Sequence, residues 1–223
     1  MFPDKHAVLV VGDPTAGMFE FCCYLGSTYL KNGEKLLFVE TNTTPTQVRR
    51  QFEQFGVDPF DFEAAGSLVI IDCYTSEQAP TLDAMSLRVS DINSLGEIAE
   101  KVNEGINKVG GYPVRVLFDS LTALYMHHDV KAVGLFFKTL TSLVKANGAI
   151  TYAVHRGLLT EEQIAPIESI VDGILEIKVD SDFRRYVRIK YLRGVKVSPR
   201  WVPFDFEIEE EEGAGASLVW HRE

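Results

Sequence analysis

The feature that most constrains this chain is an alternation of short apolar runs with segments of helical periodicity. It begins at Ala7 and continues through most of the sequence. Ala7–Val11 is apolar at every position, as a strand covered on both faces must be. Gly12-Asp13-Pro14 then signals a turn. Met18 to Lys31 reads as a helix, with Phe21, Tyr24, Leu25, Thr28 and Tyr29 at helical spacing and Asn32-Gly33 as its terminator. Lys35–Val39 is a second strand. Pro45 opens a helix that stops at Phe55-Gly56, and Leu68–Ile71 is a third strand. Ser94 caps a helix reaching about Val109, Val114–Phe118 is a strand, Val130–Ala146 a helix and Ala149–Val154 a strand. Strands that alternate with helices predict an α/β fold with a mainly parallel central sheet flanked by helices.

The ends of the chain break the alternation. Gly173–Val179 and Arg185–Leu192 are β-rich runs joined by Asp180-Ser181-Asp182, which predicts a C-terminal antiparallel hairpin. Trp201–Ile208 adds another strand. The polar stretch Thr75–Asn93, with Pro80 inside it, is expected to be a long surface loop. The run Glu209–Glu212 is expected to be solvated, so the chain divides into a domain over 1–208 and an acidic C-terminal tail over 209–223.

In an open α/β sheet, ligands bind at the carboxyl ends of the strands. The first such end is Gly12-Asp13-Pro14-Thr15-Ala16-Gly17-Met18-Phe19. Its frame is that of a phosphate-binding loop: a strand, Gly, four residues, Gly, then a helix. A working loop continues with Lys, which reaches the β- and γ-phosphates, and Ser or Thr, which holds magnesium. Met18 and Phe19 occupy those two places.

The order of motifs resembles the RecA/KaiC family of ATPases in its archaeal single-domain form, over roughly residues 7–208. The family loop Gly-x-Pro-Gly-Thr-Gly-Lys-Thr-Thr is similar to Gly12-Asp13-Pro14-Thr15-Ala16-Gly17-Met18-Phe19-Glu20. Gly33-Glu34-Lys35, Thr44-Pro45-Thr46-Gln47-Val48-Arg49-Arg50, Leu68–Asp72 and the Walker B-like strand Val114–Asp119 follow in the family's order. Val171-Asp172-Gly173-Ile174 and Leu192-Arg193-Gly194 close the match. The resemblance implies a RecA-like P-loop fold.

The departures decide the functional expectation. The resemblance places the family's catalytic glutamates at Asn42 and Thr43, so no general base is left there, and Glu40 lies two positions earlier. Where the family carries Lys-x-Arg-Gly, whose Lys reaches a neighbouring subunit's phosphate, this chain has Tyr191 and retains Arg193. These two are candidate subunit-interface residues. Asp119, the Walker B acid, is kept. Asp13 and Glu20 add negative charge where phosphates would lie. Phosphoryl transfer depends on positioning and electrostatic stabilisation, and these replacements remove most of both. The expectation is a pseudo-ATPase that acts as a regulatory or scaffolding subunit, with itself or with an active paralogue as partner and no required cofactor. A non-hydrolysing ATP/ADP sensor and a RecA-paralogue accessory factor in DNA recombination are the other readings. Met18 or Phe19 is expected to close part of the phosphate space, because interiors do not keep voids cheaply.

Composition narrows the field further. A net charge of −10 and the absence of a basic block make nucleic acid an unfavoured partner. No apolar run is long enough to span a membrane. The three cysteines, two of them adjacent at Cys22-Cys23, do not make a disulfide framework. With no secretory leader before the first strand, a reducing cytoplasm is expected. No Cys/His cluster has zinc spacing, and His127-His128 reads as a polar loop pair.

Overall fold

The structure is a computed structural model that describes residues 2–75, 83–208 and 216–220. One ten-stranded sheet organises it, in the order β10-β9-β8-β7-β1-β6-β5-β2-β3-β4. The strands are β1 (Ala7–Gly12), β2 (Lys35–Glu40), β3 (Leu68–Asp72), β4 (Leu87–Arg88), β5 (Val114–Asp119), β6 (Gly148–His155), β7 (Gly173–Val179), β8 (Arg185–Leu192), β9 (Val202–Ile208) and β10 (Ala216–Trp220). From β7 to β4 every pairing is parallel, and β8, β9 and β10 extend the sheet antiparallel. The helices are α1 (Met18–Lys31), α2 (Pro45–Gln54), α3 (Pro59–Ala64), α4 (Leu95–Lys108), α5 (Leu121–His127), α6 (Val130–Asn147) and α7 (Glu161–Glu168).

The continuous apolar strands serve two cores. On β1, Val8 and Val10 face α1 and α2, while Ala7, Leu9 and Val11 face α4, α5, α6 and α7. On β2, Leu36 and Phe38 join the first core, and Leu37 and Val39 the second. Side chains of a strand alternate between faces, so a strand covered on both has no polar position to spare. Two glycines are fixed by close approach. A Cβ on Gly148 would lie 1.9 Å from the Val114 carbonyl oxygen, and one on Gly105 would lie 2.8 Å from Leu37.

The expected parallel sheet with a closing hairpin is the observed one, and several local readings are corrected. The expected loop at Thr75–Asn93 contains β4, which pairs parallel with β3 through Ile71 and Leu87; residues 76–82 lie outside the described residues. A two-residue strand has no periodicity to read. The acidic run Glu209–Glu212 also lies outside the described residues, but within the expected tail Ala216–Trp220 forms β10 against β9. The helices α3, α5 and α7 are too short to carry a clear apolar period.

Candidate functional site

The carboxyl ends of β1, β2 and β5 meet at the start of α1. After β1 the chain makes one 3₁₀ turn at Pro14–Ala16, and Gly17 takes the left-handed conformation at φ 78° that starts α1. Asp13 N–H donates to the Ile177 carbonyl at 3.4 Å, which ties the loop to β7. Met18 is buried and folds back over the end of β1: a Cβ on Gly12 would lie 2.2 Å from Met18 Sδ. Gly12 is therefore required by the methionine packed on it. Phe19 is half-buried against the α1-side core. Pro14 is exposed on the turn. Beside Gly17 lie Phe206, Arg185 and Glu20, whose nearest atoms would stand 3.1, 3.4 and 3.4 Å from an added Cβ.

Opposite the loop, Glu40 and Asp119 are register partners at the ends of β2 and β5. Both are buried. Glu40 Oε1 accepts the Asn42 and Thr43 N–H groups at 2.6 and 3.0 Å, so the carboxyl group caps the turn that follows its own strand. Glu40 Oε2 is buried without a hydrogen-bond partner among the described residues. The Asn42 side chain donates to Asp119 Oδ1 at 3.4 Å and to Ser120 Oγ at 3.3 Å. Thr41 Oγ1 accepts Ser120 N–H at 2.7 Å and donates to the Ser120 carbonyl at 3.0 Å, fastening the two strand ends together. Ser120 Oγ lies 3.4 Å from His155 Nδ1.

The electrostatics follow from burial. Desolvation pushes Asp119 up to about 7, with the Glu20 charge adding to it. Burial, then Asp119, raises Glu40 well above the usual carboxylate range. Burial raises the Cys22 thiol, with Asp119, Glu40 and Glu20 reinforcing it. Burial lowers the His155 imidazole. Carboxyl groups thus converge on the loop from three elements. No group of three or more His, Cys, Asp or Glu side chains with metal-holding geometry is present among the described residues.

The structure gathers Gly12, Asp13, Gly17, Met18, Phe19, Asn42, Thr43 and Asp119 at one end of the sheet, but not Tyr191 and Arg193. Those two sit at the far end of β8. There Arg193 is held by Asp172 at 2.6 Å, and its Nε donates to the Tyr191 hydroxyl at 3.4 Å. Asp172 also accepts the Ala7 N–H at 2.9 Å and pairs with Lys145 at 2.6 Å. Sequence reasoning missed the inward turn of Glu40 and the approach of Arg185 and Phe206 to Gly17. The latter depends on how β8 and β9 lie over α1, for which no local signal exists.

The fold has a counterpart among known proteins. A family model described as the ATPase KaiC matches residues 1–215. The chain belongs to the KaiC ATPase family. A UPF0273 protein of Aeropyrum pernix is 30% identical over 211 residues, covering 91% of this chain and 83% of that protein. A UPF0273 protein of Thermotoga maritima is 28% identical, covering 91% and 85%. The KaiC-like protein PH0186 from Pyrococcus horikoshii shares the fold, with a TM-score of 0.74 at 20% identity over 99% of this chain and 92% of that one. The sheet places the candidate site at the carboxyl ends of its parallel strands. No helix among the described residues is long and apolar enough to cross a membrane.

Proposed function

We propose that this KaiC-family chain is a pseudo-ATPase: it keeps the frame of the phosphate loop without its chemistry and acts as a regulatory or scaffolding subunit, assembled with itself or with an active paralogue. The observation that carries the reading is Met18. It occupies the place of the phosphate-binding lysine, and its side chain is packed over Gly12 in the core. Around the same loop, Asp119 adds to the burial that raises Glu40, and the Glu20 charge adds to the burial that raises Asp119. These residues do not fit a magnesium–nucleotide triphosphate. A dense anion is favoured where donors and cations converge, and here carboxyl groups converge. Asn42 and Thr43 offer no general base, and their N–H groups are engaged by Glu40.

One observation favours the non-hydrolysing sensor as a second reading. Gly17 still makes the left-handed turn into α1, and Arg185 lies beside it. A thermal melt with millimolar magnesium–ATP, run alongside a phosphate-release assay, separates the readings. The expected result is neither release nor a shift. A ligand at 100 times its dissociation constant adds about 2.7 kcal/mol, which for a domain of this size is about 5–10 °C. A shift without release establishes the sensor. Phosphate release abolished by Asp119→Ala overturns the pseudo-ATPase reading.

A further inference from the structure

Helix α1 and the sheet do not close on each other along the first half of the helix. A pocket of about 340 Å³ remains there, between Phe21, Tyr24 and Leu25 of α1 and Leu175, Val187 and Ile189 of β7 and β8. The helix wall is apolar because residues three and four apart share a face. The strand wall is apolar because alternate residues of β7 and β8 face α1. Val202, the partner of Val187 across the β8–β9 pairing, extends that wall. Phe2 adds a further side. Its carbonyl accepts Arg115 Nη1 at 3.2 Å, and Asp4 pairs with Arg115 at 2.8 Å, so this segment is fastened to β5.

The polar groups around the pocket are few. Arg188 and Arg200 both border it. Arg188 is engaged: it pairs with Glu176, and its guanidinium lies 4.4 Å from the Trp201 ring centroid. Arg200 is exposed and makes no ion pair or hydrogen bond among the described residues. The Tyr24 hydroxyl, on the helix wall, also makes no hydrogen bond among them. A concave apolar surface with a few placed polar groups is the usual form of a small-molecule site. An apolar cavity of about 150 Å³ accepts a benzene ring, so this one holds an apolar body of roughly a dozen carbon atoms. One free guanidinium matches one negative charge, and its fork fits a carboxylate. A doubly charged phosphate monoester would leave a charge without a partner, in a chain of net charge −10.

We propose that the pocket between α1 and β8 binds a medium-chain monocarboxylate, with an apolar body of about eight to twelve carbons lying between helix and sheet and its head group on Arg200. The Tyr24 hydroxyl is the second donor. The site is distinct from the phosphate loop but shares a helix with it, since α1 carries Met18 at its start and Phe21, Tyr24 and Leu25 on the pocket wall. The inference goes beyond the pseudo-ATPase reading and is independent of whether ATP is turned over.

The test is equilibrium dialysis of the full chain against hexanoate, octanoate and decanoate, each kept below its micelle concentration, with octanol and octyltrimethylammonium as controls. Binding is expected at one ligand per chain, tightening about fourfold for each added methylene. Octanol should bind about three- to fivefold more weakly than octanoate, the size of a solvent-exposed ion pair, and the cation more weakly still. Arg200→Gln should weaken octanoate by that same factor and leave octanol unchanged, a split that general loss of structure does not produce. Leu25→Trp, which fills the pocket from the helix, and Val202→Trp, which fills it from the strands, should each abolish binding of both ligands; a urea melt of each variant checks that it folds. No binding of decanoate at millimolar concentration overturns the proposal. So does affinity that ignores chain length, or octanoate binding that survives both tryptophan variants. Equal affinity for octanol and octanoate overturns the assignment of a carboxylate. Each of these failures leaves the pseudo-ATPase reading in place, and phosphate release refutes that reading while leaving this site standing.

Discussion

Phe38 and Phe183 are the same side chain in opposite circumstances. Phe38, on β2 in the parallel part of the sheet, is fully buried and packs edge-on against Phe52 at 5.7 Å. Phe183, at the tip of the antiparallel extension, is 83% exposed. The contrast extends to the regions around them. In the parallel part, positions at the strand ends have turned inward: Met18, Glu40 and Asp119 are buried. Around the extension, Phe204 is buried, but Lys178 and Arg188 are only half-buried, each 4.4 Å from the centroid of the half-buried Trp201 ring. On the proposed pseudo-ATPase reading, core packing is free to take over the site.

The largest expected effect breaks or upholds this division directly. Phe38→Ala removes a fully buried ring and should cost about 3–5 kcal/mol. Phe183→Ala should change monomer stability by no more than about 0.5 kcal/mol. Urea denaturation at dilute concentration measures both. A large loss for Phe183→Ala would mean that the ring is covered within its own chain.

The next effect concerns the joint between the two regions. Asp172 accepts the Ala7 N–H from β1 and pairs with Lys145 of α6 and Arg193 beyond β8. Burial opposes its charge, but the Lys145 hydrogen bond, the Ala7 N–H and both cations lower it below the ordinary aspartate range. Breaking a buried pair costs about 3–5 kcal/mol. Both cations here are partly exposed, so solvent screening reduces the expected loss for Asp172→Ala to about 2 kcal/mol. The joint is structural if Asp172→Asn, which keeps the N–H acceptor, recovers a measurable part of that loss in the same denaturation assay.

How far the sequence could be read differs along the same line. The parallel part was legible because its strands are apolar throughout and its helices are long: α1 spans Met18–Lys31, as its spacing predicts. The frame Gly12–Gly17 and the replacements at Met18, Phe19, Asn42 and Thr43 could be read directly, since each is a residue type at a fixed place in a motif. What could not be read was register. Glu40 is visibly an acid at a strand end, but only the pairing of β2 with β5 brings it opposite Asp119. Tyr191 and Arg193 were marked by motif, yet Arg193 is occupied by Asp172, which the antiparallel pairing of β7 with β8 brings beside it. The strand β10 sits in a short apolar stretch behind an acidic run, and composition hid it. Phe183 carries no motif, and its exposure depends on a turn assembled by Asp180.

The smallest and most specific prediction uses pH to tell the regions apart. Around the loop, burial raises Glu40 and brings Asp119 to about 7. A carboxyl group whose folded pKa lies above its unfolded value, about 4, binds more protons in the folded state between those limits. Its contribution is therefore present at low pH and is lost as pH rises from about 4 through about 7. Glu176, on β7 where the antiparallel extension joins the parallel strands, has the opposite sign. Burial works against Glu176, but Arg188, Lys190 and Arg156 more than offset it and lower its pKa. Its contribution is present above about 4 and is lost as the solution becomes more acidic. Stability measured against pH should thus peak on the acid side of neutrality, falling toward pH 7 through the loop acids and falling below pH 4 through the extension and the Asp172 joint. Asp119→Asn replaces an acid that is protonated when buried with a neutral side chain of the same shape. It should flatten the limb between pH 4 and 7 while leaving the acid limb unchanged. An unaltered upper limb would show that Asp119 ionises without penalty, and that the end of β5 is more accessible to water than its burial implies.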